Sequence, residues 1–217
     1  MAEKKGIELT RTGQPTEIQV NIGDTKFKPG GRPSSVRLEQ DKAYVYLVID
    51  TSASMRAGKL EQAKKGAISF ARDAFNKQYL VGLISFSSNA KHICQPTHDI
   101  KVLEPHIMGM STGGSTNMAE AIKVAHYHLH KNDKTQVIVI ATDGAPDHKR
   151  NALKEAEKAK ADNIDIITIG TDDADQDFLK KLATKAELGK KVTREVFSQA
   201  ISSASNLLPP PKSIVKR

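Results

Sequence analysis

The sequence holds a single cysteine, Cys94, no tryptophan, and aromatic residues at only 5%. One thiol excludes an intramolecular disulfide and a thiolate metal cluster, and it points to a reducing compartment. Scarce aromatics require an aliphatic core and leave little surface for stacking nucleic-acid bases. No apolar run approaches the ~20 residues of a membrane-spanning helix. The opening MAEKKGIELT carries charge where a signal peptide carries an apolar stretch. These absences predict a cytoplasmic protein with no membrane contact. Several catalytic signatures are missing too: there is no GxSxG nucleophile elbow, no Walker A loop and no HExxH pair.

The chain is basic, with a formal net charge of +8. Residues 1–40 hold seven Lys/Arg against five Asp/Glu, and residues 205–217 hold three against none. The excess per residue therefore lies in the two ends, as expected of solvated extensions, with an anionic partner as the second reading.

A length of 217 residues fits one domain with extensions. Residues 1–40 read as an extended lead-in: Ile18, Val20 and Ile22 alternate like a short strand, and GDTKFKPGGRPSS is dense in turn-formers. Residues 41–208 are regular. AYVYLVID, YLVGLISF, TQVIVIAT and IDIITIG are apolar runs with the character of buried strands, and KHICQPT is a shorter one stopped by Pro96. Between and after them lie helical patterns over 60–76, 118–131, 148–162, 174–184 and 196–208. Residues 209–217, PPPKSIVKR, read as a mobile basic tail stiffened by proline. Strands alternating with helices predict an α/β fold: a Rossmann-like, doubly wound, mostly parallel sheet with helices on both faces. Ligands of such sheets bind beyond the carboxyl ends of the strands.

Three strand ends carry oxygen donors. Asp50-Thr51-Ser52-Ala53-Ser54 follows the first strand, Gly113-Gly114-Ser115-Thr116-Asn117 fills the central loop, and Asp143-Gly144 follows TQVIVIAT. Carboxylates and hydroxyls are hard ligands that suit Mg²⁺ or Mn²⁺ rather than zinc or copper. Mg²⁺ keeps several waters, so a few charged ligands suffice. Each segment alone also reads as a helix cap or a turn.

Taken in this order, Asp50-x-Ser52-x-Ser54, Thr116 and Asp143 resemble the metal-ion-dependent adhesion site of von Willebrand factor A domains, over roughly residues 43–205. The resemblance implies that fold, with one short antiparallel edge strand. It implies that Ser52, Ser54 and Thr116 bind an Mg²⁺ ion (Mn²⁺ or Ca²⁺ are alternatives) and that Asp50 and Asp143 act mostly through bound waters. It further implies a non-enzymatic module whose ion captures an Asp or Glu of a protein partner. Intracellular bacterial domains of this kind resemble subunits that work beside MoxR-type or chelatase-type AAA+ ATPases, or in stress and tellurite-resistance clusters.

Other constellations are weaker. Asp173, Asp175 and Asp177 open like an EF-hand loop, but Phe178 stands where glycine is needed and Thr184 where the bidentate glutamate belongs. They read as an acidic helix start. His126 and His130 lie one turn apart on a charged helix end, and Cys94 reads as a small core residue. A haloacid-dehalogenase-like phosphatase requires a second aspartate where Ser52 stands. A metal-dependent phosphoesterase leaves Asp147 and His148 as its only candidate bases, and these read better as a helix cap. Nucleic-acid association through Lys212, Lys216, Arg217 and the basic lead-in is the alternative function.

Overall fold

Strand β1 (Ala43–Asp50) sends its side chains alternately into two apolar layers. Val45, Leu47 and Ile49 enter one, and Tyr46 and Val48 the other. The computed structural model that shows this describes residues 43–129 and 134–212. The strand expected at residues 18–22 and the end of the basic tail lie outside those residues.

Helix α1 (Lys59–Asn76) leads to β2 (Tyr79–Phe86), then β3 (Ala90–Thr97) and α2 (Ile100–Met108). Helix α3 (Met118–Leu129), β4 (Gln136–Thr142), α4 (Lys149–Ala161) and β5 (Asp165–Thr171) follow. Helix α5 (Gln176–Leu182), β6 (Gly189–Val192) and α6 (Phe197–Ser203) complete the series. The six strands form one sheet in the order β3-β2-β1-β4-β5-β6. All neighbours run parallel except β3, which pairs antiparallel with β2 at the edge. This is the doubly wound arrangement expected from the strand–helix alternation.

The helices divide between the faces. Leu60, Ala67, Phe70 and Ala71 of α1 recur at helical spacing and share a core with Leu103 and Ile107 of α2 and Phe197 and Ile201 of α6. Ala152, Ala156 and Ala159 of α4 join Met118 and Ile122 of α3 and Phe178 of α5 on the opposite face. Helices α1 and α6 approach closely because residue 66 is glycine: a Cβ there would stand 2.6 Å from the Ser198 carbonyl oxygen.

Strand β3, expected to be shorter and stopped by Pro96, is eight residues long and passes Pro96 to end at Thr97, which an edge strand tolerates. Two further elements escape the sequence pattern. Helix α2 contains Pro105, which reads as a breaker. It starts because the Asp99 carboxylate accepts the Lys101 N–H at 2.8 Å. Strand β6, GKKV, is four residues long and carries two lysines, which suits a short charged edge. The first residues of the tail are also bound to the body. Tyr79 donates its hydroxyl to the Pro209 carbonyl, and the Lys212 N–H donates to Thr135 Oγ1 at 2.9 Å. The mobile tail expected from residue 209 onward is therefore anchored as far as Lys212.

Candidate metal centre

The register levels the carboxyl ends of the central strands. Asp50 pairs with Phe86 of β2, and Ile49 with Ala141 of β4. Because the chain moves outward in opposite directions from β1 and β4, a crevice opens above them. Asp50, Ser52 and Asp143 are buried at its floor, Thr116 is buried beside it and Ser54 is exposed at its mouth.

Four of the five expected ligands are joined directly. The Ser52 N–H donates to Asp50 Oδ1 at 2.8 Å. The Ser52 and Ser54 hydroxyls are 2.9 Å apart, and Ser54 Oγ donates to Asp143 Oδ1 at 2.8 Å. The fifth, Thr116, is held nearby through its backbone, and its hydroxyl makes no hydrogen bond to the other four. The Ala53 N–H donates to the Gly114 carbonyl at 3.0 Å, and the Gly113 N–H to the Thr51 carbonyl at 2.8 Å. Gly114 permits this at φ +78, in a space where a Cβ would lie 2.6 Å from Ser88 Oγ. Thr116 also exchanges hydrogen bonds with Asp147: its N–H reaches both carboxylate oxygens at 3.1 Å, and the Asp147 N–H returns to the Thr116 carbonyl at 3.0 Å.

The donor set is oxygen throughout, rich in hydroxyls and gathered in a buried crevice. It therefore fits a hard divalent cation that retains water. Among the described residues no three His, Cys, Asp or Glu side chains form a metal-holding group. That leaves the hydroxyl-rich set as the one with the right chemistry. Burial pushes the Asp50 carboxyl up to about 6; hydrogen bonds from Thr142 and Ser52 pull it back, and Asp143 raises it again. A buried carboxylate so poorly compensated is stabilised by a cation.

Sequence reasoning missed four contributors. Thr142 closes the apolar run of β4 and donates to Asp50 Oδ2 at 2.6 Å. Lys59 starts α1, and its ammonium meets Asp143 Oδ2, which has no hydrogen bond of ordinary geometry. The same ammonium lies 3.2 Å from Asp172 Oδ2. Arg194 holds that Asp172 oxygen through Nε at 3.0 Å and an Nη at 2.6 Å. Burial opposes the Lys59 charge, but Asp143 and Asp172 outweigh it and raise the ammonium above its usual value. Nothing in the spacing around Lys59 or Arg194 sets them apart from helix-surface cations.

The sites set aside are ordinary structure. Asp175 caps α5 by accepting the Asp177 and Phe178 N–H groups, at 3.0 and 3.1 Å. His126 lies 2.6 Å from Asp162, while His130, its expected pair, lies outside the described residues; Cys94 is buried as a free thiol. Asp147 and His148 were expected to cap α4. His148 is at the cap position without a side-chain bond there, and Asp147 is turned to Thr116 instead.

The fold is a doubly wound α/β domain with an oxygen-lined crevice at the switch of strand order. The von Willebrand factor type A domain model matches residues 45–206, and the chain belongs to that family. Two curated relatives show where such chains occur. The magnesium-chelatase 60 kDa subunit of Cereibacter sphaeroides is 25% identical over 70% of this chain and 31% of its own length. A homologue of 26S proteasome non-ATPase regulatory subunit 4 from Arabidopsis thaliana is 27% identical over 60% of this chain and 37% of its own. The chain thus spans about a third of each. Among solved structures, the von Willebrand domain of the pilus tip protein Mfa5 from Porphyromonas gingivalis superposes with a TM-score of 0.69. It is 14% identical, covering 76% of this chain and 94% of that one. Proximal thread matrix protein 1 from the mussel byssus, solved with zinc in its metal-ion-dependent adhesion motif, gives a TM-score of 0.63 at 15% identity. That match covers 76% of this chain and 46% of that one. No helix among the described residues is long and apolar enough to cross a membrane.

Proposed function

We propose that the domain is a metal-dependent binding module, not an enzyme, in which Ser52, Ser54 and Thr116 hold Mg²⁺ with Asp50 and Asp143 behind them. The observation that carries this reading is the joined set Asp50–Ser52–Ser54–Asp143, whose side chains offer only oxygen donors from the floor of the crevice to its mouth. When bound, the cation supplies a Lewis-acidic position for a carboxylate from outside. Asp50 and Asp143 balance its charge, the hydroxyls fix it, and the Asp147-braced loop presents Thr116 at its edge.

The partner is a protein offering Asp or Glu. A groove of about 450 Å³ adjoins the centre, and its lining includes Thr51, Ser85, Ser87, Lys91 and His106 but no carboxylate. Among the described residues Lys91 has no ion-pair partner, so this surface favours an acidic segment. The similarity to subunits of a chelatase and a proteasome supports work inside a larger assembly, with a MoxR-type AAA+ ATPase or a component of a stress or tellurite-resistance complex as the proposed partner. A cytoplasmic location follows from the same reading.

The test is isothermal titration with Mg²⁺ on wild type and Ser52→Ala, followed by affinity capture from the native host in Mg²⁺ or in EDTA. A Ser52-dependent isotherm and a protein captured only by wild type in Mg²⁺ are expected. A partner retained through both EDTA and Ser52→Ala would move binding to another surface.

A further inference from the structure

Lys59 occupies a position that helix physics disfavours. It is the first residue of α1, where the helix dipole repels a cation and favours an anion. Its side chain is only 9% exposed. A lysine buried at a helix start needs another cause, and two carboxylates supply it: Asp143 Oδ2 and Asp172 Oδ2. The two Asp143 oxygens face different ways. Oδ1 accepts the Ser54 hydroxyl and belongs to the cation cluster, whereas Oδ2 is committed to Lys59.

The charge count gives this arrangement a consequence. Asp50 and Asp143 carry two negative charges, which would balance a divalent cation and leave the loaded centre neutral. Lys59 adds a positive charge directly behind Asp143, and Arg194 offsets the negative charge of Asp172. On the Asp143 side of the loaded centre this leaves an excess of about one positive charge, while a further carboxylate that the structure places near the ligands, Asp147, lies behind Thr116 and not behind Asp143. A neutral centre holds its cation well and has little use for an outside anion. A centre in excess holds its cation less tightly and attracts a carboxylate more strongly.

We propose that Lys59 is the positioning residue that sets this balance: it weakens the grip of Asp143 on the cation so that an acidic partner must complete the site. Asp172 moderates the effect by sharing the ammonium. This deepens the metal-dependent reading above and rests on it. It is distinct from a bracing role, in which Lys59 merely keeps Asp143 in place. Loss of a brace loosens the metal; loss of a competing charge tightens it.

The experiment is Mg²⁺ titration by calorimetry, with the metal alone, at fixed pH and low salt. Wild type, Lys59→Met, Lys59→Arg, Asp172→Asn and Ser52→Ala are compared, with folding checked by circular dichroism. Lys59→Met is expected to bind Mg²⁺ more tightly, on the order of tenfold, the scale at which groups behind metal ligands act. Asp172→Asn, which leaves the whole ammonium to Asp143, is expected to bind it several-fold more weakly, and Lys59→Arg to stay near wild type. If Lys59→Met does not fold, the Asp172→Asn result decides. Unchanged or weaker binding by folded Lys59→Met, or unchanged or tighter binding by Asp172→Asn, overturns the proposal while leaving the metal centre standing. Absence of any Ser52-dependent isotherm in wild type overturns the metal centre and the proposal together.

Discussion

The Thr142 hydroxyl donates to Asp50 Oδ2 at 2.6 Å, a bond across 92 positions of sequence between the ends of neighbouring strands. It makes the last residue of β4 part of the proposed cation site at the end of β1. Asp50 is fully buried, so each donor it has offsets part of a large desolvation cost.

Thr142→Val keeps the shape and removes that donor. A buried hydrogen bond to a charged group contributes about 1.5–3 kcal/mol. The Asp50 carboxyl would rise still further, and Mg²⁺ affinity is expected to fall roughly tenfold or more. Calorimetric titration of the variant beside wild type reads this directly, and an unchanged isotherm would show that Asp50 does not bear on the metal.

Gly114→Ala tests how far the Thr116 loop depends on one backbone conformation. Residue 114 has φ +78, and a Cβ there would press on Ser88 Oγ at 2.6 Å. Strain of this kind costs of order 1–3 kcal/mol. Thermal unfolding should shift down accordingly, and metal affinity should fall because the Gly114 carbonyl no longer meets the Ala53 N–H at 3.0 Å. A variant with both properties intact would mean that this loop is free to find another path.

Of the five residues named from sequence, Thr116 was named through the family resemblance and lies in the loop between α2 and α3. Asp50, Ser52, Ser54 and Asp143 lie at the end of a long apolar run or within four residues of it. A polar residue there has left the core at a strand end, so its position is fixed by the sheet. The fold was legible for the same reason, since β1, β2, β4 and β5 are nearly continuous apolar runs. Lys59, Asp172 and Arg194 come from three further segments that meet only in space, and no period of two or 3.6 encodes their meeting. Thr142 was hidden inside a strand-like run, and Asp147 looked like the cap that its neighbourhood favours. Pro105 masked α2, and two lysines in four residues masked β6.

A second pH-sensitive group is His92 on β3. The Tyr46 hydroxyl is 2.8 Å from His92 Nε2, and the His92 and His128 rings stack with centroids 4.0 Å apart. Burial, and then the neighbouring His128, lower the affinity of His92 for a proton. An unfolded His92 binds its proton at higher pH than the folded one, so acidification through the ordinary histidine range favours unfolding. The melting temperature should therefore drop between pH 7 and pH 5.5 by less in His92→Gln than in wild type. Identical drops would show that the ring takes its proton as readily folded as unfolded.

Thr116 differs from the other four proposed ligands in what holds it. Its backbone is clamped by Asp147 at 3.1 Å, while its hydroxyl makes no bond to the Asp50–Ser52–Ser54–Asp143 cluster. On the proposed reading the cluster retains a cation without it, and the Thr116 hydroxyl is the ligand that a partner's carboxylate meets. Thr116→Ala is expected to leave Mg²⁺ affinity within about threefold of wild type, because Ser52, Ser54 and both aspartates remain. Partner capture should fall by tenfold or more, a loss of about 1.4 kcal/mol for each tenfold step. Asp147→Asn, which keeps the Thr116 side chain and weakens its brace, should reproduce the same split in milder form. Titration with the metal alone and capture of the partner in saturating Mg²⁺ separate the two quantities. Equal losses in both would make Thr116 a permanent ligand, and the site would then be a static cation holder rather than one that is finished by its partner.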